Sequence, residues 1–393
     1  MIPRLKAIQQ TLQDARLDGW LLYDFQNQNP IARRVVRLPE DAILTRRWAC
    51  FIPAESSPRW LVHRIEVGGL PLTSPLTYIS WSSWLEGLRA LLEDARRVAM
   101  EVSPGAAIPT VSRVDAGTVE LVRSLGVDVV SSADLVQIAE AVWTPEQKAT
   151  HLRAARHLLA IKDMAFAYVR ERLHADTPPT ELDVQRLILR LFRENELVTD
   201  HPPIVAVDEH AADPHYVPNE AENRAIRPGS LLLLDLWARE AREDAVYADI
   251  TWMAFAGERV PERLQRVFRV VRSARDAVIA LARERVRSRR PVRGYELDDA
   301  ARRVIADAGW APFFLHRTGH SLGVDVHGNG VNLDNVETHD YRQLVPGIGF
   351  TVEPGVYLPQ AGIGVRLETD CYVGEEDVEI TTLPLQEDWV YLM

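Results

Sequence analysis

The sequence predicts a smaller α/β domain over residues 1–142, followed by a larger α+β domain over residues 143–393. Three observations predict it. First, 393 residues exceed what one hydrophobic core organises. Second, the first third alternates short apolar runs with amphipathic stretches, the signature of helices layered on a sheet. Third, the remainder opens on two long helical patterns and then turns to β-branched apolar runs, each interrupted by a single acid.

In the first domain, Leu5 to Leu17 has helical spacing and Trp20–Tyr23 is a short strand. Trp48–Ile52 and Arg59–His63 read as a strand pair joined by the polar turn at Glu55-Ser-Ser-Pro. A helix from Ser83 to Arg97, a strand at Val98–Val102 and a helix from Asp115 continue the alternation. Asp24–Pro30 is the one polar loop of note. It reads as a solvated turn, or else it and Arg33 and Arg34 reach a neighbouring active site.

The boundary falls at Trp143-Thr-Pro-Glu146, where Thr144 and Pro145 are an N-cap and a first-turn proline. A long amphipathic helix follows to Leu173, and a second spans Thr180–Glu194. Residues 200–227 read as a loop-rich stretch, and helices follow at Pro261–Arg287 and Tyr295–Ala308.

The chemistry concentrates late in the chain. His316, His320 and His327 fall within twelve residues, separated by Gly319 and Gly323, which argue against a helix and for a loop crowding around something small. Phe350-Thr-Val-Glu353 and Gly364-Val-Arg-Leu-Glu368 each place one glutamate in an apolar run expected to be a buried strand. Leu231-Leu-Leu-Leu-Asp235 and Val246-Tyr-Ala-Asp249 do the same with aspartates. A buried carboxylate is costly unless it is paired or ligates a cation. Four such acids and a histidine suit two divalent ions, manganese first and then cobalt or zinc, better than a thiolate-bound structural zinc.

In this ordered set, Asp235, Asp249, His320, Glu353 and Glu368, the sequence resembles the dinuclear metallopeptidases of pita-bread fold: methionine aminopeptidases, Xaa-Pro aminopeptidases and Xaa-Pro dipeptidases. The resemblance covers roughly residues 145–393. It implies that Asp235 and Asp249 are ligands with Asp249 bridging, that His320 and Glu353 each bind one metal, and that Glu368 bridges. It further implies that Glu353 shuttles the water proton, and that His215 and His327 flank the substrate. Arg366 would orient Glu368 or bind an anionic group, and His316 would support the site or contact the substrate. Tyr357 and His339, with Arg342, are candidates for substrate contacts. Two departures stand out. The aspartates are separated by the charged segment 238–244, which leaves Asp244 as an outside candidate ligand, and His201 occupies a position where relatives often carry tyrosine.

The large first domain and the histidine triplet resemble the proline-specific branch. The resemblance therefore implies hydrolysis of Xaa-Pro dipeptides, with Xaa-Pro aminopeptidase action on longer peptides as the alternative and a homodimer as the assembly. A metal-free creatinase-like hydrolase or a peptide-binding module of the same fold would be expected to have lost the acidic set. The net charge of −11 argues against nucleic acid as a partner. Cys50 and Cys371 suggest no disulfide framework, so a reducing cytoplasm is expected. No apolar run is long enough for a membrane span.

Overall fold

A computed structural model of the chain describes residues 2–393 apart from 40, 41, 43, 70, 71 and 73. The chain forms two compact units, Met1–Glu140 and Ala141–Met393.

The first unit carries helices α1 (Leu5–Asp14), α2 (Pro30–Val35), α3 (Trp81–Leu91), α4 (Ala116–Ser124) and α5 (Ala133–Val136). Its strands are β1 (Gly19–Asp24), β2 (Trp48–Pro53), β3 (Arg59–His63), β4 (Leu76–Tyr78), β5 (Arg97–Met100) and β6 (Asp128–Ser131), in the sheet order β4-β3-β2-β1-β5-β6. β2 pairs antiparallel with β1 and β3, as the turn at 55–58 requires. The helix expected over 83–97 is displaced. Ser80 caps α3 through Ser83 N, and the Asp18 carboxylate accepts from the backbone N of Arg96 and Arg97 at 2.7 and 2.8 Å. Those bonds draw residues 96–97 into the sheet, so Arg97 opens a strand instead of closing a helix.

The polar loop at Asp24–Pro30 is not a solvated turn at its ends. Asp24 and Asn29 are buried; Asp24 accepts from Asn29 N and Trp48 Nε1, and Asn29 caps α2 through Ala32 N. Arg33 bonds Asn27 and the Pro39 carbonyl, while Arg34 pairs with Glu140, all within this unit. Fully buried Glu101 takes three donors, Trp20 Nε1 at 2.5 Å, Asn29 Nδ2 at 2.7 Å and Ser132 Oγ at 3.1 Å. Burial nevertheless pushes its pKa up to about 7 against those donors.

The second unit opens on α6 (Pro145–His174), whose Thr144–Gln147 capping box satisfies its first turn, and α7 (Glu181–Glu194). Strands β7 (Leu197–Val198), β8 (Ile204–Val207), β9 (Leu231–Glu240) and β10 (Ala248–Phe255) follow. The stretch 200–227, expected to be loop-rich, contains one short strand: β8 pairs along β9, which supplies the hydrogen bonds that local sequence did not announce. Helices α8 (Glu262–Arg287) and α9 (Gly294–Asp307) precede the short strands β11 (Ser321–Leu322), β12 (Gly349–Val352), β13 (Gly355–Leu358), β14 (Ile363–Arg366), β15 (Thr369–Val373), β16 (Val378–Ile380) and β17 (Val390–Tyr391). One sheet runs β17-β10-β9-β7 with β8 also on β9, a second runs β11-β12-β15-β16, and β13-β14 is a hairpin.

Strand alternation sorts the side chains of β9 and β10. Leu232, Leu234 and Leu236 pack with α6 and α7, while Leu231 and Leu233 join the core of α8 and α9. On β10, Ile250 and Trp252 face the first core and Met253 and Phe255 the second. Each buried leucine stabilises by about 1.5–3 kcal/mol, so a one-residue slip that reversed the faces would be opposed by many kilocalories. That register decides where the acids point. Asp235, Asp249 and Thr251 fall on the α8–α9 face, where the aliphatic residues give out.

Candidate metal centre

The antiparallel register of β9 and β10 pairs Asp235 with Thr251 and Trp237 with Asp249, and β8 adds Ile204 opposite Asp235. Directly paired residues project from the same face with Cβ atoms about 5 Å apart. Ile204, Asp235, Trp237 and Asp249 therefore line one pocket of about 520 Å³.

His320 is brought in by the loop after α9. Its backbone N donates to Thr351 Oγ1 at 2.9 Å, and Thr351 N donates back to its carbonyl at 2.8 Å. Gly319 permits this approach, because a Cβ there would lie 2.0 Å from the Thr351 oxygen. Glu353 and Glu368 are not inside strands as their settings suggested; each occupies a break between two. Pro354 lacks the N–H needed to continue β12, and Glu353 N instead donates to Thr318 O at 2.8 Å. Glu368 N leaves the β14–β15 path to donate to Thr251 O at 3.2 Å. These detours turn both carboxylates into the pocket.

The structure brings all five proposed ligands to this pocket. Asp249, His320 and Glu368 present ligand atoms within 4.8 Å of one another. His320 Nε2 lies 3.3 Å from Glu353 Oε1 and 3.7 Å from Asp249 Oδ2. Asp235 Oδ2 accepts from Arg366 Nη2 at 2.5 Å, and Glu368 Oε2 from Thr251 Oγ1 at 2.7 Å. The other oxygens of three acids, Asp235 Oδ1, Asp249 Oδ1 and Glu368 Oε1, are buried with no hydrogen-bond partner among the described residues. An unsatisfied buried carboxylate oxygen is costly, and three on one cavity fit a cation that would accept all of them.

The electrostatics agree. Burial, then the charges of Glu368 and Asp235, hold Asp249 well above the usual carboxylate range; burial, then Glu353 and Asp235, do the same to Glu368. Burial lifts Glu353 to about 7, with Arg366 and Arg317 pulling the other way. Burial and then His327 hold His320 well below the imidazole range, so it is neutral and able to ligate. The donor set of carboxylates and one neutral imidazole fits a hard divalent ion.

Arg366 lies at the back of the site. Its guanidinium donates to Asp235, to Thr251 Oγ1 at 3.1 Å and to the Tyr357 hydroxyl at 2.9 Å. It therefore orients Asp235 directly, and Glu368 only through Thr251. Tyr357 is fully buried, and its hydroxyl also meets His316 Nε2 at 2.8 Å. His316 Nδ1 faces the Arg317 carbonyl at 2.7 Å. Both ring nitrogens of His316 are thus used by the protein. Tyr357 and His316 support Arg366 instead of presenting free groups to a substrate. His215 and His327 line the pocket, the latter with its ring 4.5 Å from that of His320. His339 stands apart: it stacks on Tyr295, bonds Asn335 and does not line the pocket, so a substrate-binding role is not carried forward. Arg342 is committed to buried Asp340 and the Asn329 carbonyl.

Asp244 is exposed in the turn after β9, away from the pocket lining, because the extra length of the hairpin goes into extending β9 to pair with β7. His201 is exposed at the pocket rim, 3.2 Å from Asp200, which accepts from Trp237 Nε1 at 2.7 Å. Sequence reasoning missed Trp237 and Arg317. Trp237 was signalled by its position two residues past Asp235 on the same strand face. Arg317 is a half-buried pocket residue whose guanidinium has no hydrogen-bond or ion-pair partner among the described residues. Its signal was a cation between two histidines of the glycine-bearing loop.

Fold and site together define a protein of pita-bread fold with a candidate metal centre. The chain belongs to metallopeptidase family M24, whose pattern matches residues 153–375. It is 29% identical over 211 residues to an Xaa-Pro dipeptidase of Lactobacillus delbrueckii subsp. lactis, a match covering 50% of each chain, so the chain spans about half the length of that relative. It is 28% identical over 335 residues to a probable dipeptidase PepE of Mycobacterium tuberculosis, covering 84% of this chain and 82% of the other. The fold matches the crystal structure of dipeptidase PepE from Mycobacterium ulcerans with a TM-score of 0.68 at 23% identity, covering 99% and 97% of the two chains.

Proposed function

We propose that the protein hydrolyses Xaa-Pro dipeptides, using divalent ions held by Asp235, Asp249, His320, Glu353 and Glu368. The observation that carries the reading is the trio of buried, partnerless carboxylate oxygens beside a neutral His320 in one pocket. When bound, such ions make a water acidic enough to supply hydroxide near neutral pH and polarise a carbonyl.

The protein's own groups do the rest. Glu353, on a backbone break with Thr351 Oγ1 3.1 Å from its Oε1, is placed to take the proton of the attacking water. It returns that proton to the departing nitrogen. The step matters for this bond because the imide nitrogen of proline has no hydrogen of its own and must leave as a secondary amine. His215 and His327 border the pocket and donate to the oxygen on which charge develops. Arg366 is spent on Asp235 and Tyr357, so Arg317 supplies positive charge for the free carboxylate that every dipeptide carries. A pocket of about 520 Å³ is of the size that encloses a small ligand. Manganese as the ion, a homodimer and a cytoplasmic setting complete the proposal. The oxygen-rich donor set supports the first, family resemblance the second, and two buried free cysteines the third.

The test compares Leu-Pro with Leu-Pro-Gly on protein stripped of metal and reloaded with manganese, cobalt or zinc. Faster cleavage of the dipeptide, lost on stripping, is expected. Faster cleavage of the tripeptide moves the protein to the Xaa-Pro aminopeptidases, and no cleavage with any ion overturns the reading.

A further inference from the structure

Glu181 is a fully buried carboxylate that the proposed chemistry does not use. It sits in the first turn of α7 and gathers four donors from the end of β8 and the segment that follows it. Oε1 accepts from Val207 N at 2.8 Å and His210 Nδ1 at 2.9 Å. Oε2 accepts from the Tyr216 hydroxyl at 2.7 Å and Arg224 N at 3.0 Å. The His210 and Tyr216 rings stack on each other at 4.0 Å, closing the cluster. One side chain thus holds residues 207, 210, 216 and 224, the start, middle and end of a single loop.

That loop is the one that carries pocket residues. Pro214, His215 and Val217 line the cavity, whereas Tyr216 between them is buried and turned back to Glu181. His215 itself is exposed, and among the described residues its backbone N is tied only to the Asp213 side chain two residues earlier, at 2.9 Å. Its ring position is therefore set by its neighbour. Anchoring Tyr216 inward leaves His215 facing the cavity.

We propose that Glu181 is a positioning residue for the reaction: through Tyr216 it fixes the loop so that His215 is held over the bound substrate. This inference rests on the hydrolytic reading of the pocket. Placement errors of an ångström at a reacting centre cost up to 10²-fold in rate, so a residue outside the pocket can act on turnover through this loop alone.

The experiment is a double-mutant cycle on the metal-loaded protein with Leu-Pro as substrate. Tyr216→Phe removes one donor and leaves the carboxylate with three, and Glu181→Gln keeps the side chain's shape while mismatching its donors. Tyr216→Phe is expected to lower kcat/KM by roughly tenfold and Glu181→Gln by up to about 10²-fold, mostly in kcat. In a His215→Ala background neither should cost more than about twofold, because the path to the substrate is already cut. Full multiplication of the losses in that background overturns the proposal, as does unchanged turnover in both single variants. A second readout is the His215 ring resonance in nuclear magnetic resonance spectra, which a purely global loss of stability would not move while the protein stays folded. A shifted or broadened signal in Tyr216→Phe is expected, and an unperturbed one overturns the proposal. Should the wild type cleave no Xaa-Pro peptide, the hydrolytic reading fails, and the resonance alone decides whether Glu181 places His215.

Discussion

Both units of the molecule bury carboxylates, and the pocket of the second treats them in the opposite way from the interior of the first. Glu101 in the first unit is surrounded by an indole N–H, an amide and a hydroxyl. Asp249 and Glu368 in the second each keep an oxygen with no partner among the described residues and crowd other acids instead. A buried acid supplied with donors is architecture; a group of acids denied them is incomplete without a cation. The comparison separates folding from function with no appeal to motif.

The strongest way to break it is to remove a partnerless oxygen. Asp249→Asn or Glu368→Gln should lower kcat/KM on an Xaa-Pro dipeptide on the order of 10³-fold or more while leaving the metal-free melting temperature level or raised, since like charges are relieved. Near-normal turnover with normal metal content would contradict the ligand assignment. Next in size is stability against pH. Burial raises Glu101 to about 7 in the folded state from an ordinary carboxylate value near 4.5. The group's contribution is therefore fully present below pH 4.5 and is lost as pH rises through 7, on the order of 3 kcal/mol in all. Denaturant unfolding of wild type and Glu101→Gln between pH 4.5 and 8 should show that slope in the first and not in the second.

A subtler expectation concerns protons at the acidic pocket. Its acids are held above their usual range, so the metal-free protein carries protons there that an incoming divalent ion must displace. Metal affinity should rise with pH between about 6 and 8, and calorimetry in two buffers of different ionisation enthalpy should register proton release. Affinity independent of pH would contradict the picture. The smallest effect sharpens the boundary of the site. His339→Ala should change kcat/KM by less than about twofold, because that ring stacks on Tyr295 outside the pocket.

The same contrast explains what the sequence could reveal. Asp235 and Asp249 were legible because a single acid in a run of leucine, alanine and isoleucine violates local patterning, and β9 and β10 carry them as strands. Helix starts at Thr144, Thr180 and Asp115 were legible because their caps are local. Glu353 and Glu368 were recognised as acids of interest but misplaced within strands, since the breaks depend on bonds to Thr318 and Thr251, the latter 117 positions away. His316 looked available because nothing nearby shows that Tyr357, 41 positions on, takes its ring nitrogen. Nothing in the sequence singled out Glu181, since its four donors come from a loop that had no pattern to follow. Periodicity reports which face a residue occupies; it does not report which distant group consumes its hydrogen-bonding capacity.

One feature behind the pocket bears on proton traffic. The His316 Nδ1 faces a carbonyl, so it holds a hydrogen, Nε2 accepts from the Tyr357 hydroxyl, and that oxygen accepts from Arg366. All the donors in this chain point the same way, toward a peptide oxygen that cannot pass anything on. Burial keeps Tyr357 from ionising until about pH 12 and His316 from charging until about 3, so no link gives or takes at neutral pH. This chain is therefore closed to protons near neutral pH, and in the proposed reaction a hydrogen ion taken up by Glu353 would not escape along it.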